Sequence, residues 1–301
     1  MPLTEAELQL HDHGIGGSTI GAILGVNPFS GPIDAWLHLT GRAKRETTED
    51  GERRTGWGHQ MEDMLASWYE QERSVEVTPC PTLVHPGHAW VIATPDRVVE
   101  NEPALVECKH VGERVAWHWM DGPPDYVRAQ CVWQMLVANA LNMGIERVDI
   151  VADIGGAPPV VFPVDFDAEL ETMMFEAAQS FWRDHVLADV APAVDGSASY
   201  QAWIRRQFPD SNGTMRDEPA AEVWAKAYAT GKAAIASATA NVELAANQLR
   251  ALIGEDDGVR GPWGQATNRK ASSGNRSLRV SVNGITRARK TGRATAEEIG
   301  L

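Results

Sequence analysis

Three short segments hold residue types that could do chemistry together. Trp57-Gly-His-Gln-Met-Glu62 places a carboxylate in a helical pattern, Ala93-Thr-Pro-Asp96 places an aspartate at a strand end behind a proline, and Val106-Glu107-Cys-Lys109 places an acid and a base two apart on a strand. Side chains two apart on a strand share a face, so Glu107 and Lys109 look into one site while Cys108 turns away. Asp96 and Glu107 stand a hairpin's length apart, and adjacent strands would bring their carboxylates together. Carboxylates converging with a lysine, without thiolates or paired histidines, suit a hard divalent cation of the kind that works on phosphate esters. Mg²⁺ and Mn²⁺ take the same ligands. The lysine would orient or activate a water, or stabilise charge on the phosphorus. Charges on an exposed strand edge are the plainer reading of so short a pattern.

The elements that must position these residues follow from periodicity. Ile15 to Gly25 carries a short helical face with Ser18 where an N-cap would stand, and Asn27-Pro28 ends it. A helix follows from Ile33 to Leu39, then a charged loop from Arg42 to Thr55, then an amphipathic helix over 57–72. Short extended runs at Val75–Thr78, Thr82–His85, Trp90–Pro95, Arg97–Glu100 and Ala104–Lys109 read as a strand meander. A strong helix spans Asp125 to Leu141, strands occupy Val148–Ala152 and Val160–Val164, and a helix runs from Ala168 to Leu187. The expected fold is an α/β core over residues 1–192, with residues 193–301 as a C-terminal helical extension. In that extension Ala220 to Ile253 is one long helix or a hairpin broken near Gly231, followed by a basic tail and a strand at Ser277–Val282.

The chain has 301 residues and a net charge of −14. Its composition is that of a globular protein, without a membrane span or a signal peptide at the acidic N-terminus. Three cysteines with no CxxC pair exclude a disulfide framework and a four-cysteine zinc site, and point to a reducing, intracellular compartment. Acidity argues against nucleic acid, since phosphate contacts need Lys and Arg. Yet residues 258–301 carry nine basic and two acidic side chains. An acidic body with a basic tail is compatible with a metal-binding cleft beside a separate phosphate contact.

Flanking segments sharpen the short pattern. Gly14-Ile-Gly-Gly-Ser18, Ile23-Leu-Gly-Val-Asn-Pro28 and Gly31-Pro-Ile-Asp-Ala-Trp36-Leu-His-Leu-Thr-Gly41 come first. Trp57-Gly58 with Glu62, Thr94-Pro95-Asp96, Glu107 with Lys109, and Tyr126 with Gln130 follow in order. Over residues 11–145 this resembles the YqaJ-type viral recombinase family, relatives of the phage lambda exonuclease with a restriction-endonuclease-like PD-(D/E)xK core, a mixed sheet flanked by helices.

The resemblance implies Asp96 and Glu107 as principal metal ligands, with Glu62 completing the shell directly or through water and the Cys108 carbonyl as a further ligand. It implies Lys109 as catalytic lysine and Gln130 as the supporting helix glutamine. It places a 5′-phosphate pocket at Ser18 and Thr94, with His11 where the family has arginine and Arg97 as a substitute cation. It further implies a Mg²⁺-dependent 5′-to-3′ exonuclease on double-stranded DNA ends, a ring-shaped homo-oligomer such as a trimer, a single-strand annealing partner, no membrane, and a phage or prophage origin in bacterial cytoplasm. An endonuclease of the same superfamily, or a non-catalytic DNA-binding scaffold subunit, are the alternatives. His11 and His13 lack a third nearby metal ligand, His59 and His110 read as exposed polar residues, and Trp57, Trp68, Trp133 and Trp182 read as packing. Trp117 and Trp119 are the candidates for stacking on DNA.

Overall fold

The computed structural model describes residues 5–43, 49–270, 274 and 276–284. Arg287, Arg289, Lys290 and Arg293 of the basic tail lie outside the described residues. The chain divides into two compact units, Met1–Gln207 and Phe208–Leu301.

The first unit opens with α1 (Glu5–His13), α2 (Gly17–Ile23), α3 (Pro32–Leu39) and α4 (Glu49–Arg73). α1 has no strong apolar stripe, so periodicity did not mark it. α4 begins eight residues earlier than its apolar pattern, inside the stretch read as loop. Charge and Gly51 suggested that loop, but an isolated glycine costs a helix only about 1 kcal/mol, and the Glu and Arg residues beside it are good helix formers.

The strands β1 (Val77–Pro79), β2 (Leu83–Val84), β3 (Ile92–Ala93), β4 (Arg97–Val99) and β5 (Ala104–Val111) fall where a meander is expected, but β2 and β3 pair apart as a two-stranded sheet and β1 pairs with β4. α5 (Asp125–Ala140) follows, then β6 (Arg147–Ile154), β7 (Val160–Asp165) and α6 (Ala168–Phe181). A π-helical turn extends α6 through Trp182–Leu187, and α7 (Ala198–Gln207) closes the unit. The α7 stretch lacked a long pattern, but it packs Trp203 edge-on against Trp36 at 5.8 Å.

The five-stranded sheet runs β1-β4-β5-β6-β7, all antiparallel except the β5–β6 pair, and is flanked by helices as expected for this fold class. β5 alternates cleanly: Ala104 and Val106 join Leu65 and Tyr69 of α4 on one face, while Leu105 enters the larger core with α2, α3 and α5. Two glycines let α2 lie close on α5. A Cβ on Gly17 would fall 2.6 Å from Gln130 Cγ, and one on Gly21 3.3 Å from Tyr126 Cβ. The indole N–H of Trp133 donates to the carbonyls of Ile15 and Ile92, both at 3.0 Å, tying α5 to the chain entering α2 and to β3.

In the second unit α8 (Ala221–Ile253) is one unbroken helix, so the expected hairpin does not form. Gly231 sits among alanines, whose high helix propensity absorbs its cost. β8 (Gly258–Gly261), β9 (Gly264–Lys270) and β10 (Arg276–Val282) make an antiparallel sheet, of which only β10 was legible. Among the described residues no helix is long and apolar enough to cross a membrane.

α4 is pinned to the sheet by a buried polar contact: Tyr69 Oη donates to Asp149 Oδ2 at 2.5 Å, and Arg147 Nε reaches the same oxygen at 3.2 Å. Burial and the neighbouring Asp149 carboxylate push the Tyr69 phenol up to about 12. Tyr69→Phe leaves Asp149 short of a donor in the interior, and is expected to lower unfolding free energy by about 1–3 kcal/mol. Urea unfolding monitored by circular dichroism checks this.

Candidate active site

Antiparallel β4–β5 pairing sets Arg97 opposite Val106, and the residue before it, Asp96, beside Glu107. The Cys108 N–H donates to Asp96 Oδ2 at 2.7 Å, which locks this carboxylate onto β5. Glu107 and Lys109 project together toward α5, where Lys109 Nζ lies 2.6 Å from Glu107 Oε1. Gln130 joins the two: its Nε2 donates to Glu107 Oε1 at 2.7 Å and its Oε1 accepts from Lys109 at 3.0 Å. One turn later on α5, Gln134 Nε2 donates to Glu107 Oε2 at 2.6 Å. The sequence reading missed Gln134. The signal was there, a second glutamine four residues on in an otherwise apolar helix.

Asp96, Glu107 and Lys109 line a cleft of about 790 Å³ with Trp57, Glu62, Cys108 and His110. Burial, then the charges of Glu107 and Glu62, hold the Asp96 carboxyl well above the usual range; Lys109 and the Cys108 N–H pull the other way. Burial opposes the Lys109 charge, but Glu107 and Asp96 outweigh it, and the ammonium holds its proton more tightly than a free lysine. Cys108 packs toward the α4 face, and burial with Asp96 and Glu107 nearby pushes its thiol up, which removes thiolate chemistry.

Glu62 is turned mainly toward Arg97, whose guanidinium donates to it and, at 2.6 Å, to Asp63 Oδ1. Burial works against ionising Glu62, yet the Arg97 contact leaves its carboxyl below the ordinary range. Arg97 itself is only 6% exposed. Its charge is thus engaged by two carboxylates of α4, and among the described residues no hydrogen bond joins it to His11, Ser18 or Thr94. Of the other residues expected at that pocket, His11 and Thr94 meet. His11 Nε2 lies 2.9 Å from Thr94 Oγ1, which lies 3.0 Å from Thr82 Oγ1. The His11 ring comes within 3.7 Å of where a Gly16 Cβ would stand, beside the start of α2. The N-cap of α2 is Gly16, and Ser18 is an exposed residue of its first turn, not the cap.

His110 is exposed, as expected, and is oriented at the cleft with its Nδ1 2.8 Å from Asp153 Oδ2. Trp57 is exposed at the cleft, whereas Trp133 is buried. Trp119 is buried near Phe162, leaving Trp117, stacked on His118, as the exposed member of its pair.

Among the described residues, no three carboxylate, imidazole or thiol groups are drawn up around one point for a metal. Asp96 and Glu107 would supply two hard-oxygen ligands whose mutual repulsion a divalent cation would relieve. Mg²⁺ needs only one or two carboxylates besides waters and substrate phosphate, so the donor set fits it.

The crowding of Asp96 has a sign. A carboxyl whose folded-state pKa is raised favours unfolding once it ionises, and the cost is absent at a pH low enough to protonate it in both states. Asp96→Asn keeps the acceptor for the Cys108 N–H while removing the charge. In metal-free buffer it is expected to melt above wild type at pH 7, with the gap closing as pH falls toward 4. Thermal melts across that range are the check.

Residues 8–141 match the model of the YqaJ-like viral recombinase domain. The uncharacterized protein YqaJ of Bacillus subtilis (strain 168) is 29% identical over 201 residues, 66% of this chain and 61% of that protein. The chain thus spans about three fifths of the curated relative it matches. LHK-Exo in complex with dAMP superposes with a TM-score of 0.50 at 15% identity, over 68% of this chain and 97% of that one. The alkaline exonuclease LHK-Exo from Laribacter hongkongensis gives 0.49 at 17% identity, over 68% and 98%. The first unit thus shares its fold with LHK-Exo, and it is the YqaJ-like viral recombinase domain that residues 8–141 resemble.

Proposed function

We propose that this chain is a metal-dependent exonuclease that degrades linear double-stranded DNA from its 5′ ends and leaves 3′ single strands for strand annealing. The observation that carries the reading is the junction of Asp96, Glu107 and Lys109 in one cleft, with Gln130 bonded to both Glu107 and Lys109 and in contact range of Gly17 at the start of α2. The family likeness and the fold support the nuclease part; the metal rests on the site, and the polarity and choice of ends rest on the family resemblance.

Asp96 and Glu107, with the Cys108 carbonyl beside them, would hold Mg²⁺ or Mn²⁺, which when bound supplies Lewis acidity and a more acidic water. Lys109, kept cationic by its neighbours, donates hydrogen bonds toward the attacking water or a phosphate oxygen, where charge develops. Gln130 fixes the positions of Lys109 and Glu107. Glu62 acts at one remove, with its charge shared by Arg97. Ser18, Thr94 and His11 hold a terminal phosphate. A histidine is a weaker phosphate partner than a bidentate arginine, and with Arg97 engaged elsewhere, discrimination between phosphorylated and hydroxyl ends is expected to be modest. The same reading makes the partners double-stranded DNA ends, a single-strand annealing protein and further copies in a ring, in the cytoplasm of a bacterial host.

Digestion of linear duplex DNA with and without a 5′-phosphate, in Mg²⁺ and in EDTA, tests this. The expected result is metal-dependent release of mononucleotides from the 5′ strand, reduced at least about 100-fold in Lys109→Ala, with closed circular DNA untouched. His11→Ala is expected to erase what phosphate preference exists. Cleavage of closed circles would favour the endonuclease reading. Wild type as inert as Lys109→Ala, while still binding DNA, would leave the scaffold reading in place.

A further inference from the structure

Helix α8 is about 50 Å long and is exposed along nearly its whole length. Its apolar residues are not scattered. Trp224, Tyr228, Gly231, Ile235, Ala238, Val242 and Ala245 follow one another at alternating steps of four and three, the 3.5-residue period of a two-helix seam. Tyr228, Ile235 and Val242 are 69%, 65% and 65% exposed. Apart from Ala227, the helix loses exposure only at Ala246, Leu249 and Ile253, where it packs on β8 and β9. An apolar stripe this long, open to water, marks an interaction surface.

We propose that this seam pairs with the same seam of a second copy of the chain, with the two helices antiparallel. The occupant is argued from the seam itself, in which large side chains (Tyr228, Ile235, Val242) alternate with small ones (Gly231, Ala238, Ala245). Parallel pairing in register would stack Gly231 on Gly231 and Ala238 on Ala238, leaving voids between backbones held apart by the tyrosine and isoleucine layers. Antiparallel pairing about Ala233 sets Tyr228 against Ala238 and Ile235 against Gly231, so the central layers each combine a large and a small residue. Trp224 then meets Val242 at either end.

This register also matches the free length. The helix starts at Ala221, behind Pro219, and the second copy's helix would start where the sheet begins to cover the first, at Ala246. Lys232, whose ammonium lies 5.7 Å from the ring of its own Tyr228, flanks the seam. Val223 and Leu244 fall outside it. The exposed fractions of the four large residues correspond to about 1,000 Å² for the pair, at the threshold for a specific interface. The proposal lies outside residues 8–141 and does not depend on the nuclease reading.

Sedimentation equilibrium of the full chain tests it. Ile235→Glu is expected to halve the particle mass relative to wild type, whatever contacts the first unit makes, with the helical circular dichroism signal unchanged. Orientation is read by mixing two single variants under oxidation. Tyr228→Cys with Ala238→Cys should give a disulfide-linked pair, while neither variant alone, nor wild type with its native Cys80, Cys108 and Cys131, should cross-link. Equal masses for wild type and Ile235→Glu would overturn the proposal and leave the seam to another partner or to the rest of the same chain. Cross-linking within either variant alone would overturn the antiparallel arrangement.

Discussion

Glu107 is 3% exposed in the second strand of a hairpin, and an ionised carboxylate in that position is tolerable only if every oxygen is engaged. Two glutamines one turn apart on α5 and the Lys109 ammonium meet that demand. Much of the first unit follows from the need to hold α5 at the right height: glycines that let α2 close on it, and the Trp133 indole N–H shared between two carbonyls. Apolar packing against Leu105, Ile150 and their neighbours supplies the cohesion; the polar network fixes the register.

That network is also why the cleft is electrostatically unfinished. Lys109 offsets part of the negative charge, but Asp96 still lies between two other carboxylates in an environment that resists ionisation. Arg97 could have neutralised the whole group. Instead it is spent on Glu62 and Asp63 at the α4 side, which leaves Asp96 and Glu107 as the pair for which a small, hard cation is the natural complement.

The sequence made the central hairpin, α5 and the pairing of Glu107 with Lys109 legible, because period-two alternation decides which strand residues share a face. It could not show the far ends of long side chains. Arg97 reads as a free cation near a phosphate until the acids of α4 are seen around it, and Gln134 reads as one polar residue on a helix until the carboxylate beneath it is seen. Ser18 has a capping residue's type, but Gly16 holds the position. In the second unit, the glycine that suggested a break was outvoted by its alanine neighbours. The strands β8 and β9, rich in Gly, Arg, Asn and Thr, gave no apolar alternation to read.

Gly17 lies closer to Gln130 than any other residue type could. The start of α2 and the side chain that steadies Lys109 and Glu107 are thus parts of one stiff lever with no slack between them. On the proposed reading, a molecule seated at the opening of α2 would lean on the side chain that positions Lys109 and Glu107, so occupancy at α2 and readiness at the carboxylates would be mechanically one event.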